Sequence, residues 1–293
     1  NRSQNIDYSI IKNKDDLKFE TDLIVKQTTL NNLKFIKQNF PLLKDQINLK
    51  DHKINIRYKD NKVFLNGEGN IKIDKEFDYV KYSLVKNNDK FELKSDFNIK
   101  NISLKNREFL KMFFPKINSL IELENHKFQL KYNENLLSLS GRGKIKINSG
   151  YDHIDYFILK EKEKTNFDFN LDINNAEFII ENIKYKKNKT SNAKISISGS
   201  YPNNESLFLK IINIKEKYNK IKIFDTILDK NFFLIKFDSA NFDFKDTEDK
   251  QNKLFIKRED KNIYRINGSL FNANGIITNL LDTKVEKKQK FFK

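Results

Sequence analysis

The feature that most constrains this chain is the alternation of apolar and polar residues, sustained in one segment after another. Side chains of a β-strand point to opposite faces with period 2, so each such segment reads as a strand with one apolar side. Ile54, Ile56 and Tyr58 alternate with Lys53, Asn55 and Arg57. Val63, Leu65, Gly67, Gly69, Ile71 and Ile73 fall on one side, and Asn66, Glu68, Asn70 and Lys72 on the other. Phe91, Leu93, Phe97 and Ile99 repeat the scheme, as do Phe128, Leu130 and Tyr132, then Leu137, Leu139, Ile145 and Ile147, then Phe167, Phe169, Leu171 and Ile173. Further strands follow as far as Tyr264 to Phe271. Turn-forming runs such as Lys59-Asp60-Asn61-Lys62 and Asn133-Glu134-Asn135 separate them at hairpin spacing. The fold class is therefore all-β with a few short helices.

The pattern itself repeats. A displacement of 74 residues aligns the chain on itself without gaps, with 20 identities over the 65 residues from Phe40 to Leu104. His52 meets His126, Tyr58 meets Tyr132, Gly67 and Gly69 meet Gly141 and Gly143, and Tyr82 meets Tyr156. Units run over roughly 17–90 and 91–164, with a degenerate third from 165. Each reads as a strand, a short helix and several antiparallel strands. The helices are expected over 31–39 and 105–113, each stopped by its proline, Pro41 or Pro115. No linker rich in Pro, Gly or Ser divides the chain. Residues 1–284 are thus expected to form a single elongated body, with 285–293 a flexible basic tail. The first residue is Asn and no signal-peptide pattern follows, so a fragment of a longer protein is expected.

Tandem units joined by short turns build quasi-one-dimensional structures. About 16 strands at about 4.8 Å spacing give a sheet of roughly 75 Å, which must curl, twist or split. Two architectures deal with the apolar side. One is a closed β-sandwich, which alternation alone favours as the commoner solution. The other is an elongated, curved antiparallel β-sheet whose apolar side lines a groove. The glycine pairs, once per unit on the apolar side, point to a bend where side chains would collide.

Composition excludes several functions. Mean hydropathy is −0.70, yet 26 Phe and 11 Tyr are far more aromatics than a disordered chain carries. Without cysteine there is no disulfide framework and no thiolate metal site. No apolar run approaches the roughly 18 residues of a membrane-spanning helix. The net charge of +16 is spread among interspersed acids, in a chain dominated by Lys, Asn and Ile, and forms no nucleic-acid patch. His52 and His126 lack the carboxylate or His partners of a catalytic or metal site. Gly67-Glu68-Gly69 lacks the rest of a phosphate loop, and Asp243, Asp246, Glu248 and Asp249 lack calcium-loop spacing. No enzyme, cofactor, metal or small-molecule substrate is expected.

The stretch from Leu254 to Leu281 carries a strand with a basic end (Phe255, Lys257, Arg258), a turn, then Tyr264, Ile266, Gly268, Phe271 and Ala273. It resembles the C-terminal signature of large AsmA-like bacterial envelope proteins of the YhdP and TamB type, which carry Trp where Tyr264 stands. A Leu-rich helix ending in Pro, followed by a strand ending in Gly, also resembles this family and occurs twice. The resemblance implies a repeating β-groove that transfers phospholipids passively across the periplasm, between the inner and outer membranes. It also implies inner-membrane anchoring through a segment missing from this chain, and inner- and outer-membrane proteins as partners. On that footing the open groove is favoured over the sandwich. Its lining would be Ile54, Ile56, Tyr58, Leu65, Ile71 and Ile73 with their mates Phe128, Leu130, Tyr132, Leu139, Ile145 and Ile147, in contact with acyl chains. The alternative implied function is a scaffold for outer-membrane protein biogenesis.

Overall fold

The computed structural model describes residues 6–13, 16–31, 46–73, 76–88, 90–105, 110–111, 113–148, 150–202, 206–261 and 263–272. Its first ten strands are β1 (Ile6–Asn13), β2 (Asp16–Asn31), β3 (Gln46–Lys59), β4 (Lys62–Lys72), β5 (Phe77–Asn87), β6 (Lys90–Lys105), β7 (Leu120–Asn133), β8 (Leu136–Lys146), β9 (Tyr151–Lys160) and β10 (Lys164–Ile173). Then come β11 (Phe178–Ile180), β12 (Tyr185–Lys187), β13 (Ala193–Pro202), β14 (Leu207–Glu216), β15 (Asn219–Leu228), β16 (Leu234–Lys236), β17 (Ser239–Lys245), β18 (Gln251–Asp260) and β19 (Ile263–Leu270).

Seventeen of these strands belong to one open sheet that does not close into a barrel, and β11 and β12 pair separately. One open sheet thus stands in place of the two sheets of a sandwich. Most connections are tight turns, so strands pair antiparallel with the next in the chain. Between β3 and β4, Asp60 and Asn61 both take left-handed backbone, with φ of 51° and 58°, as a two-residue hairpin turn requires.

The 74-residue period is physical. β6, β7 and β8 begin and end 74 residues after β2, β3 and β4, and β9 begins 74 after β5. The expected helices fall mostly outside the described residues. Asn31 and Lys105 end strands, and around Leu110 only a tight turn is described, in which Phe113 and Phe114 both donate to the Leu110 carbonyl.

The chain forms two compact units. The first comprises Asn1–Leu104, Glu122–Ile145 and Asp155–Thr165; the second comprises Lys105–Ile121, Lys146–Ile154 and Asn166–Lys293. In the first, Ile47, Ile71 and Val80 form a buried cluster against which Leu49, Ile73, Tyr82 and Phe97 pack. In the second, one row runs in register across five strands, Ile195–Ile214–Ile221–Phe242–Leu254, and every member is buried. Burying each of these side chains contributes roughly 1.5–3 kcal/mol. An aromatic cluster lies in the same unit. Tyr185 meets Phe244 and Phe178 edge-on at ring-centroid distances of 5.7 and 6.4 Å, and Phe114 meets Phe178 at 5.4 Å.

Candidate functional site: the open half of an apolar face

In the first repeat a bulge separates a core half of the apolar face from an open half. Strand β3 carries one residue more than β4 between Lys50 and Lys53, and Asp51 takes left-handed backbone there, with φ 54°. Ile47 and Leu49 precede the bulge on the core side. His52, Ile54, Ile56 and Tyr58 follow it on the same face. The second repeat has its own left-handed residue at Asn125, with φ 48°, just before His126.

A packed node sits at the bulge, and its counterpart lies beside Asn125. His52 is fully buried. Its Nε2 donates to the Asn70 carbonyl at 2.9 Å, which fixes the tautomer, and its Nδ1 accepts from the Tyr82 hydroxyl at 3.2 Å. Burial pushes the His52 pKa down from its ordinary value, against the opposing pull of the Asn70 carbonyl and Asp51. The Tyr82 ring lies over Gly67, and His52 lies over Gly69. In the second repeat Tyr156 covers Gly141 and His126 covers Gly143, with His126 Nε2 3.2 Å from the Tyr156 hydroxyl. Burial raises the Tyr156 pKa to about 12. The glycines all have negative φ, so what they provide is space for an imidazole or phenol against the neighbouring backbone. These histidines fill the bend, and no group of side chains that could hold a metal occurs among the described residues.

Beyond the node the apolar face is only half-buried. Ile56, Leu65, Leu84 and Leu93 stand directly opposite one another across β3, β4, β5 and β6, and all four keep part of their surface in water. Next to them run Tyr58, Val63 and, on β6, Phe91. Phe97 stacks on Phe128 at 4.3 Å and Phe91 meets Tyr132 at 4.9 Å, which carries the face from β6 to β7. The other side of the same strands is polar: Arg57 contacts Glu20 at 3.3 Å, and Asn55 donates to Asp22 at 2.9 Å.

The twelve residues expected to line a groove therefore fall into two sets. Ile54, Ile56, Tyr58, Leu65, Phe128, Tyr132 and Leu139 are half-buried beyond the bulges. Ile71, Leu130, Ile145 and Ile147 are buried, and Ile73 packs on the Ile47–Ile71–Val80 cluster, so these five act as core.

Sequence reasoning missed a buried polar cluster in the second unit. Lys187, with no exposed surface, donates to the carbonyls of Ala176, Asn188 and Asn174 at 2.8, 2.9 and 3.4 Å. Burial lowers its pKa. Tyr185 donates to Glu216 at 2.7 Å, and Asn219 and Ser191 also bond to that carboxylate. Every donor of the ammonium has a carbonyl, which is an architectural arrangement. Nearby, Asp152 accepts from the backbone N–H groups of Asn174, Asn175 and Ala176 at 2.6, 2.7 and 3.1 Å. The only signal in the sequence was Asp152 as the repeat mate of Asp78, which accepts from the Lys100 N–H at 2.8 Å.

No helix among the described residues is long and apolar enough to cross a membrane. No family model, curated protein or solved structure matches this chain.

Proposed function

We propose that the open half of the apolar face binds acyl chains of phospholipids and conducts them, without catalysis, between the inner and outer membranes. The observation that carries this reading is the row Ile56–Leu65–Leu84–Leu93, four large aliphatic side chains in register, each only partly buried. A row across four strands spans about 15 Å, and β2 to β8 span about 29 Å, the scale of an extended acyl chain. Each methylene laid on such a surface gains up to about 0.8 kcal/mol. Many similar weak contacts permit sliding, whereas one deep pocket would hold the lipid in place. The reading agrees with the resemblance of Leu254–Leu281 to AsmA-like envelope proteins. With it come a periplasmic location, a membrane anchor outside this chain, and membrane proteins at either end as partners.

Native mass spectrometry of the purified chain tests it. Co-purifying phospholipid is expected, and it should be lost in Leu65→Asp and Leu139→Asp, whose side chains are only partly buried and whose folds should survive. A folded wild type free of lipid, or full lipid retention in both variants, refutes the reading.

One observation favours a second reading, a scaffold for outer-membrane protein strands. Strand β19 pairs antiparallel with β18, and its Ile263, Ile266 and Leu270 are 57, 58 and 55% exposed. Exposed apolar side chains on a strand of low charge are a surface on which another strand can pack. Crosslinking from Ile266 to an unfolded outer-membrane protein, with no lipid bound, would favour it.

A further inference from the structure

On the polar side of the first unit, behind Gly67, lies a hollow of about 700 Å³. It is opposite the apolar face and separate from the lipid reading. Its walls carry three carboxylates and three ammonium groups, which differ in how they are satisfied. Asp22 accepts from Asn55 at 2.9 Å, Glu68 from the Tyr79 hydroxyl at 2.8 Å, and Asp96 from Gln129 at 2.8 Å. Among the described residues the side chains of Lys53, Lys81 and Lys94 make no ion pair and no hydrogen bond, although Glu68 stands opposite both Lys53 and Lys81 in the register. The formal charges of the hollow balance, but the acids accept from neutral donors and the three ammonium groups keep their hydrogen-bond donors unused.

The register sets what that ligand looks like. Lys81 faces Asp96 on β6, and Lys94 lies two residues along that strand. Such a diagonal pair is about 7–8 Å apart at the backbone, close enough for two long side chains to converge on one phosphate. Lys53 lies two strands from Lys81, about 10 Å away. Glu68 stands between them, and in the adjacent row Asn66 and Ser83, in line with Lys94, offer neutral donors and acceptors suited to hydroxyl groups. We propose that this hollow binds a phosphate ester on a hydroxylated carbon skeleton, with Lys81 and Lys94 gripping the phosphate and the amides reading the hydroxyls. The same chemistry occurs in a soluble polyol phosphate and in a phosphoglycerol lipid headgroup.

Calorimetric titration of the full chain at low salt tests this with glycerol 3-phosphate, inorganic phosphate, and vesicles with and without phosphatidylglycerol. Glycerol 3-phosphate should bind saturably and more tightly than inorganic phosphate. Lys81→Gln/Lys94→Gln should weaken it about tenfold or more, a loss of about 1.4 kcal/mol or more. Lys215→Gln, on an exposed strand position in the other unit, should leave it unchanged. Binding only to phosphatidylglycerol vesicles assigns the headgroup as the source, and binding of free glycerol 3-phosphate assigns the soluble ligand. Absence of both, equal affinity for inorganic phosphate, or insensitivity to the double variant overturns the proposal. Leu65→Asp lies on the opposite face and should not affect this binding, so the two proposals fail separately.

Discussion

Gly69→Ala should destabilise this protein more than Gly67→Ala, although the two glycines are neighbours on one face of one strand. A Cβ on Gly69 would lie 2.5 and 2.6 Å from ring atoms of His52 and 2.7 Å from its Cα. Carbon atoms pack at about 3.5–4.0 Å, so β3 and β4 must part by about 1 Å, and no side-chain rotation relieves a clash with a Cα. A Cβ on Gly67 meets only the far end of Tyr82, with the hydroxyl at 2.5 Å and Cε2 at 2.6 Å. That ring can swing out, giving up the hydrogen bond to His52, worth about 1 kcal/mol. Neither glycine has positive φ, so alanine fits the backbone and gains about 0.4–1 kcal/mol through the unfolded chain. Overpacking typically costs about 1–3 kcal/mol and occasionally more. The net expectation is a loss of about 1 kcal/mol for Gly67→Ala and about 3 kcal/mol for Gly69→Ala. Urea unfolding followed by far-UV circular dichroism measures both. A double-mutant cycle sharpens the test: in a Tyr82→Ala background Gly67→Ala should cost nothing, whereas His52→Ala should only partly rescue Gly69→Ala. The second repeat is a replicate, since a Cβ on Gly143 lies 2.7 Å from the His126 Cα while Gly141 meets the end of Tyr156. Equal losses at Gly67 and Gly69, or a Gly67→Ala cost that survives removal of Tyr82, would refute this account of the bend.

Asp152→Ala should cost about 3 kcal/mol in the same assay, because it strips three backbone N–H groups of their acceptor, and an unchanged urea midpoint would refute this. Glu177 is held by Lys186 at 2.5 Å and Lys116 at 2.9 Å, and these two lysines lower its pKa from 4.5 to about 2. Its stabilisation is complete above pH 4.5 and drains away as pH falls towards 2. Thermal melts between those limits should show a steeper loss in the wild type than in Glu177→Gln, and parallel curves would show that Glu177 contributes nothing.

Alternation made the strands legible, and the 74-residue displacement made their order legible, because both are written directly in side-chain polarity. Neither says what lies over a face. Ile54 and Ile145 have the same alternation, yet one is only partly buried and the other is buried. The sandwich that alternation alone favoured would have covered both alike. The glycine pairs were readable as a site of crowding, but their partners were not. Tyr82 and His52 reach them from neighbouring strands, and only the register brings those strands into line. The Lys187–Glu216 cluster was hidden because it lies where the third repeat degenerates, and no repeat mate marks it.

The bulge at Asp51 also limits how this protein can change length. The polarity of β3 slips phase by one residue there: odd-numbered Ile47 and Leu49 share a side with even-numbered His52, Ile54 and Ile56. The left-handed residue absorbs the slip. An insertion or deletion anywhere else in the strand has nothing to absorb it, and would turn Lys53, Asn55 and Arg57 onto the oily side at one stroke. Strand lengths are therefore locked, and the natural increment by which such a chain grows or shrinks is a whole 74-residue module.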